Sequence, residues 1–74
     1  MSYHLKITFD REEDGRWIAQ VKYLPGVLAY GNTKAEAAQR TRVLALRVLA
    51  DRVEADKPAP ASQVFAVSLV AASR

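Results

Sequence analysis

The first part of the chain alternates between apolar and polar side chains, which is the pattern of half-buried strands. Every second residue is apolar over positions 3–10, and the same period of two returns over positions 17–22. Asp14 and Gly15 stand between these two runs. Asp-Gly is a strong hairpin signal, because glycine adopts a positive φ without a Cβ clash. The pattern therefore predicts a β-hairpin with a loop of several residues.

A second turn signal, Leu24-Pro25-Gly26, follows the hairpin. Proline presets φ near −65° and glycine accepts the left-handed position, which together favour a type II turn. Residues 27–31 then read as a short third strand. This run is apolar on both faces, so its register is poorly specified by the sequence.

A long helix is predicted over residues 34 to about 55. Thr33 and Glu36 match a capping box, in which the hydroxyl accepts from the Glu36 amide and the carboxylate reaches back. Apolar residues, Ala55 among them, cover more than half of the circumference, whereas a surface helix needs an arc of only about 100°. We therefore expect this helix to meet more than one sheet face.

The last strand is predicted over residues 63–70, after an extended Lys-Pro-Ala-Pro-Ala-Ser linker at 57–62. The order β-β-β-α-β predicts a single α/β (α+β) domain over residues 1–74, with two layers. We expect a four-stranded, mostly antiparallel sheet in the order 3-2-1-4, with the long helix on one face. A right-handed crossover would place the last strand parallel to the first, which gives a partial ribonuclease H-like topology.

Composition limits how this chain can be stabilised. Of its 37 apolar residues 13 are alanine, which leaves 24 larger side chains for a core in 74 residues. The chain has no cysteine and one histidine, which excludes disulfides, thiolate metal sites and His-rich zinc sites. A chain this short buries only about 60% of its unfolded surface, so we expect a homodimer or higher homo-oligomer.

The net charge of +3 is too small to imply nucleic acid by itself. No stretch approaches the roughly 18 apolar residues of a membrane span, and the start of the chain does not resemble a secretory signal. We therefore expect a cytoplasmic protein with no membrane partner.

Residues that could carry catalysis or bind a metal have a simpler explanation in each case. The acidic cluster between Asp10 and Asp14 lacks calcium-loop spacing and is typical of a solvated hairpin tip. His4 has no positioned partner for proton transfer. A two-metal nuclease needs carboxylates from several elements, and residues 63–70 carry none. We predict no enzyme activity, no cofactor and no catalytic or metal-binding residue.

The helix arginines present a choice between a phosphate-binding stripe and a solvated face. No aromatic residue is interleaved with them, and acids alternate with them, which favours Glu36–Arg40 and Arg47–Asp51 pairs at i,i+4. We therefore expect no sequence-specific DNA binding by the protein on its own. A symmetric oligomer that brings two stripes together is the alternative.

Candidates for a partner or oligomer interface lie around the second turn and on the outer helix. Aromatic side chains mark interface hot spots, but they also fill small cores, so both readings stay open. The candidate residues are Trp17, Tyr23, Leu24, Tyr30, Leu46 and Val53.

Three segments together resemble the HicB-like antitoxin domain. They are Glu-Asp-Gly-Arg-Trp-Ile-Ala at 13–19, Leu-Pro-Gly at 24–26 and Gly-Asn-Thr-Lys-Ala-Glu-Ala at 31–37. The resemblance covers about residues 3–54. Departures from the family pattern are Val27 in place of a cysteine, Asn32 in place of an aspartate, Lys-Tyr at 22–23 before Leu-Pro-Gly, and Gln-Arg at 39–40 where an asparagine is common.

The resemblance implies a non-enzymatic module that binds and blocks a small messenger-RNA-cleaving toxin of the HicA type. Many members of the family add a C-terminal DNA-binding module, which we do not expect here, and the Gly-Ser-His signature typical of the toxin does not occur in the chain. The alternative is a small homo-oligomeric structural domain of the same fold without a toxin partner.

Overall fold

The structure, a computed structural model, describes residues 2–71. The predicted order β-β-β-α-β is confirmed, and the helix has the predicted bounds. The elements are β1 (Ser2–Arg11), β2 (Trp17–Val21), β3 (Leu28–Gly31), α1 (Lys34–Ala55) and β4 (Ala66–Ala71).

The four strands form one mixed sheet in the predicted order β3-β2-β1-β4. β2 pairs antiparallel with both β1 and β3, whereas β4 pairs parallel with β1 from Ser2↔Ala66 to Ile7↔Ala71. The molecule is therefore an α+β fold with a helix on one sheet face. The ribonuclease H-like part of the predicted topology stays a prediction.

The strand boundaries differ from the expected ones by up to three residues, and β1 is one residue longer at each end while β2 ends one residue earlier. β3 begins at Leu28, because the amide of Val27 closes the preceding turn on the carbonyl of Leu24 at 3.0 Å. β4 begins at Ala66, because the amide of Gln63 donates to the carbonyl of Pro60 at 2.9 Å and forms a turn instead. β4 ends at Ala71, one residue later than expected, and residues 72–74 lie outside the described residues.

Glycine is required at the turns that the sequence predicts. Gly15 has a φ of 91° in the hairpin loop, and Gly26 has a φ of 81° at the third position of the Leu-Pro-Gly turn, as a type II turn requires. The hairpin loop is closed by a 2.8 Å bond from the amide of Glu12 to the carbonyl of Arg16. These loops hold β1, β2 and β3 in one antiparallel meander.

The capping box forms at the start of α1. Thr33 Oγ1 accepts from the Glu36 amide at 3.0 Å, and Glu36 Oε1 accepts from the Asn32 amide at 3.3 Å. The carboxylate thus reaches back to the residue before the N-cap. It also pairs with Arg40 at 3.1 Å, which confirms one of the two predicted ion pairs.

The core lies between α1 and the middle of the sheet. The helix packs mainly against β2 and β3 and only lightly against β1. Its buried stripe consists of small residues at most positions, which lets the helix backbone approach the sheet closely. The buried helix residues are Ala37, Ala38, Thr41, Ala45 and Leu49, and the buried residues of β1 and β2 are Leu5, Ile7, Ala19 and Val21.

The C-terminal part of α1 extends beyond this core. All helix residues from Ala50 onward are exposed, and Ala55, expected in the apolar arc, is exposed with them. The buried stripe ends at Leu49 because the sheet beneath it is β2 and β3, not β4. The last one and a half turns of α1 therefore lie beside β4 without packing onto a core.

Candidate protein-binding surfaces

The six predicted interface residues do not form one site. They are divided among the core, the exposed turn at Tyr23 and two surfaces on opposite faces of the sheet. The strand register decides this division, because alternate residues of a strand point to opposite faces.

Trp17 lies on the helix face of β2, where it is half-buried and packs against the core. Its ring is flanked by two cations, with the Arg11 guanidinium carbon 5.2 Å and the Lys34 Nζ 5.5 Å from the ring centroid. Lys34 Nζ also lies 4.8 Å from the ring centroid of Phe9. Trp17 therefore serves mainly to hold the start of α1 against the sheet rather than to form a binding surface.

Leu24 is a correction to the predicted interface. Its side chain is only 2% exposed and belongs to the core cluster. The turn formed by Leu24-Pro25-Gly26 folds this side chain inward, since its amide donates to the carbonyl of Val21 and its carbonyl accepts from Val27. Its neighbour Tyr23 is 79% exposed at the same turn.

The first surface lies on the sheet face away from α1, and we call it the outer sheet patch. It consists of Ile18, Leu28 and Tyr30 together with Arg16. Ile18 and Tyr30 are register partners, and Leu28 shares their face of the sheet. The Arg16 guanidinium carbon lies 4.7 Å from the Tyr30 ring centroid, within the range of a cation–π contact.

The second surface is a groove between the C-terminal half of α1 and β4, which we call the α1–β4 groove. Leu46 and Val53 are 50% and 42% exposed and form its helix wall. Phe65 lies on the opposite wall, where its ring meets Tyr3 edge-on with centroids 6.1 Å apart. The groove encloses about 400 Å³ and is almost wholly apolar. Its lining residues are Leu46, Leu49, Ala50, Val53, Glu54, Phe65 and Val67.

Sequence reasoning missed part of each surface. It did not select Phe65, Val67 or Leu28 as candidate interface residues. The signal for the groove was nevertheless in the sequence, because the wide apolar arc of α1 exceeds what one sheet face can cover. The structure also separates Tyr30 from Leu46 and Val53, which lie on the other side of the sheet.

Charged groups lie around these surfaces in pairs. The Arg16 amide donates to the carboxylate of Asp14 at 3.1 Å, and this hydrogen bond lowers the pKa of Asp14. The Arg16 side chain, 2.7 Å from the same carboxylate, also lowers this pKa. Arg40 donates to the carbonyl of Tyr30 at 2.9 Å in addition to its pair with Glu36. Within residues 2–71 the second predicted pair, Arg47–Asp51, does not form an ion pair.

The acidic side chains of the described hairpin do not come together as a metal site. Over residues 2–71, no three acidic or histidine side chains come close enough together to hold a metal ion. His4 lines a shallow depression on the outer sheet face with Lys6, Ser68 and Val70. None of the helices in the described part of the chain has the length and apolar character needed to cross a membrane.

No family model matches this chain, and neither a curated protein nor a solved structure matches it.

Proposed function

We propose that this chain is a non-enzymatic protein-binding module that resembles a HicB antitoxin. In this proposal it binds and blocks a small messenger-RNA-cleaving toxin of the HicA type. Such a partner acts where messenger RNA is translated, so the proposed location is the cytoplasm.

The observation that carries the proposal is the outer sheet patch. Leu28 and Tyr30 are large apolar side chains exposed on β3, which is an end strand of the sheet. An end strand with exposed apolar residues can accept a strand or an apolar segment from another protein. The cation–π contact with Arg16 holds the Tyr30 ring in place, which reduces the entropy lost on binding.

The charge beside the patch fits a basic partner. Glu12, Glu13 and Asp14 lie in the loop that leads into Arg16. Asp14 forms an ion pair with Arg16, and Glu13 is exposed to solvent. An acidic loop next to an apolar patch favours encounter with a positively charged protein.

Three turn and cap motifs that underlie the resemblance adopt the conformations that their residues require. These are the Asp-Gly loop, the Leu-Pro-Gly turn and the Thr33–Glu36 cap. They support the proposal because they set the position of the patch relative to the loop.

The direct test starts from the reading frame next to the gene. Its product is co-expressed with this protein, isolated as a complex, and assayed for cleavage of a reporter messenger RNA with and without this protein. We expect a Gly-Ser-His-containing product, a stable complex and inhibition of cleavage. Independent behaviour of the two proteins would instead favour the alternative, a homo-oligomeric structural domain without a toxin partner.

A matched pair of variants tests the surface. Leu28→Glu places a charge in the patch, and Val70→Glu places the same charge on the same sheet face but on β4, at the other end of the sheet. We expect Leu28→Glu to weaken toxin binding by on the order of a hundredfold, as for a hot-spot residue, and Val70→Glu to leave it within about threefold. Equal effects of the two variants would contradict the assignment of this surface.

A further inference from the structure

The helix carries a second apolar stripe that its own sheet does not cover. Val43, Leu46, Ala50 and Val53 follow one another at spacings of three, four and three residues. This is the a/d spacing of a helix-to-helix seam. All four residues are exposed, whereas the buried stripe around Thr41 and Ala45 lies on the other side of the helix.

The chain exposes more surface than a compact monomer of its size. Its accessible surface is 5444 Å², whereas about 4500 Å² is expected for a folded monomer of this mass. Its radius of gyration is 14.0 Å, against about 11 Å for a compact domain of this length. The surplus of about 900 Å² is close to the roughly 800 Å² that each partner buries in a standard interface.

The sheet has an open place next to α1 on its β4 side. The helix lies on β2 and β3, and Leu5 and Ile7 of β1 are buried, whereas Val67 on the helix side of β4 is 37% exposed. Packed helices lie about 8–10 Å apart, so a second helix beside α1 would reach β4. A second helix beside α1 would therefore rest on Phe65 and Val67 while it contacts Leu46 and Val53, the residues that line the α1–β4 groove.

We propose that a second copy of this chain fills the groove, so that the protein is a two-fold symmetric dimer with the two α1 helices antiparallel along this seam. Each helix then lies on its own β2 and β3 and against the open side of its partner's β4. The arrangement uses the same patch on both copies, as a two-fold axis requires. Ala50, the small residue within the seam, lets the two helix backbones approach closely.

The charge distribution of α1 agrees with this arrangement. Arg47 and Asp51 lie on the flank of the helix that turns away from Leu46 and Val53, and Glu54 lies at the edge of the groove. In the dimer they stay at the rim in water, where mixed charges cost little. The proposal concerns a different face of the sheet from the outer sheet patch, so it does not depend on the proposed function.

Analytical ultracentrifugation of the purified protein from about 1 to 100 μM gives the first test. We expect a species of twice the 8.2 kDa chain mass. Leu46→Glu should raise the dimer dissociation constant on the order of a hundredfold, and the matched change Leu28→Glu on the outer face should leave it within about threefold. A monomer throughout the range, or a dimer that is insensitive to Leu46→Glu, overturns the proposal.

Cross-linking keeps the test decisive if Leu46→Glu fails to fold. The chain has no cysteine, so Ala50→Cys introduces one thiol in the seam, and Asp51→Cys introduces one on the charged flank. With a short bifunctional thiol reagent at micromolar protein, we expect Ala50→Cys to be captured as a dimer at least about tenfold faster than Asp51→Cys. Similar rates for the two variants would place the seam in solvent and overturn the proposal.

Discussion

Thr41 Oγ1 donates a 3.1 Å hydrogen bond to the backbone carbonyl of Ala19, in the middle of the core. Both residues are fully buried, so this bond joins the centre of α1 to the central strand β2 without contact with water. A hydroxyl at this position fixes the distance between the helix and the sheet, because a buried donor without an acceptor costs free energy.

Thr41→Val tests this bond with little change in shape. We expect the free energy of unfolding to fall by about 1–2 kcal/mol, because the hydrogen bond is lost inside the core. Thr8→Val is the control, since Thr8 lies on the outer face and its 3.5 Å bond to the Gln20 carbonyl is long. Urea unfolding at one protein concentration measures both. A Thr41→Val protein as stable as the wild type would contradict the role given to this bond.

Gly31 is required by the close approach of the helix start to β3. A Cβ at this position would lie 2.5 Å from the backbone nitrogen of Ala37, an atom that cannot move without shifting the helix. We expect Gly31→Ala to reduce the free energy of unfolding by about 3 kcal/mol, at the upper end for overpacking.

Gly15→Ala separates crowding from backbone conformation. Gly15 has a φ of +91° but open space where a Cβ would lie, so only the strain of the left-handed backbone applies. We expect a loss of about 1 kcal/mol. In thermal unfolding, we expect the midpoint temperature of Gly31→Ala to lie well below that of Gly15→Ala. The reverse order would refute the packing argument.

The Asp14–Arg16 contact makes the hairpin loop sensitive to acid. Because the Arg16 amide and then its side chain stabilise the carboxylate, the pKa of Asp14 is lower in the folded loop than in the unfolded chain. The stabilisation is therefore complete above the unfolded pKa, near 4, and is lost as the pH falls through the lower folded pKa. Carboxyl chemical shifts from pH 2 to 6 measure it, with Asp14→Asn as the reference. Titration of Asp14 above pH 4 would contradict this.

The helix arginines are expected not to support sequence-specific DNA binding. Arg40 is held by the Glu36 carboxylate and the Tyr30 carbonyl, and acids alternate with the other arginines along α1. Specific binders contact on the order of 6–10 phosphates through a clustered basic surface. A fluorescence titration against the promoter of the gene should show no preference over random duplex at about 150 mM salt. Submicromolar, salt-resistant and selective binding would reassign the arginines to a functional site.

Local chemistry explains which parts of the fold were predictable. Thr33, Glu36 and Pro58 define the helix ends through short-range hydrogen bonds and backbone sterics, so its bounds follow from the sequence. The sheet order follows from connection rules applied to the order of elements.

The surfaces were less predictable because they depend on where α1 rests across the sheet. Small residues such as Ala37 and Ala45 place the helix over β2 and β3, and this position decides that Val67 is open and Leu24 buried. No local pattern around Leu24 distinguishes an inward from an outward side chain at the turn. The position of the helix on the sheet determines that the Leu24 side chain is buried.

The parallel pairing of β4 with β1 has a kinetic consequence. β1, β2, β3 and α1 contact near neighbours in the chain, whereas β4 must close a loop of more than fifty residues to reach β1. Such non-local pairing is slow to form, and a strand without buried residues, as β4 is, opens at a lower free energy than a core strand. We expect the amide hydrogens of β4 to exchange with solvent faster than those of β2, and their exchange to slow with rising protein concentration if a second copy covers this strand.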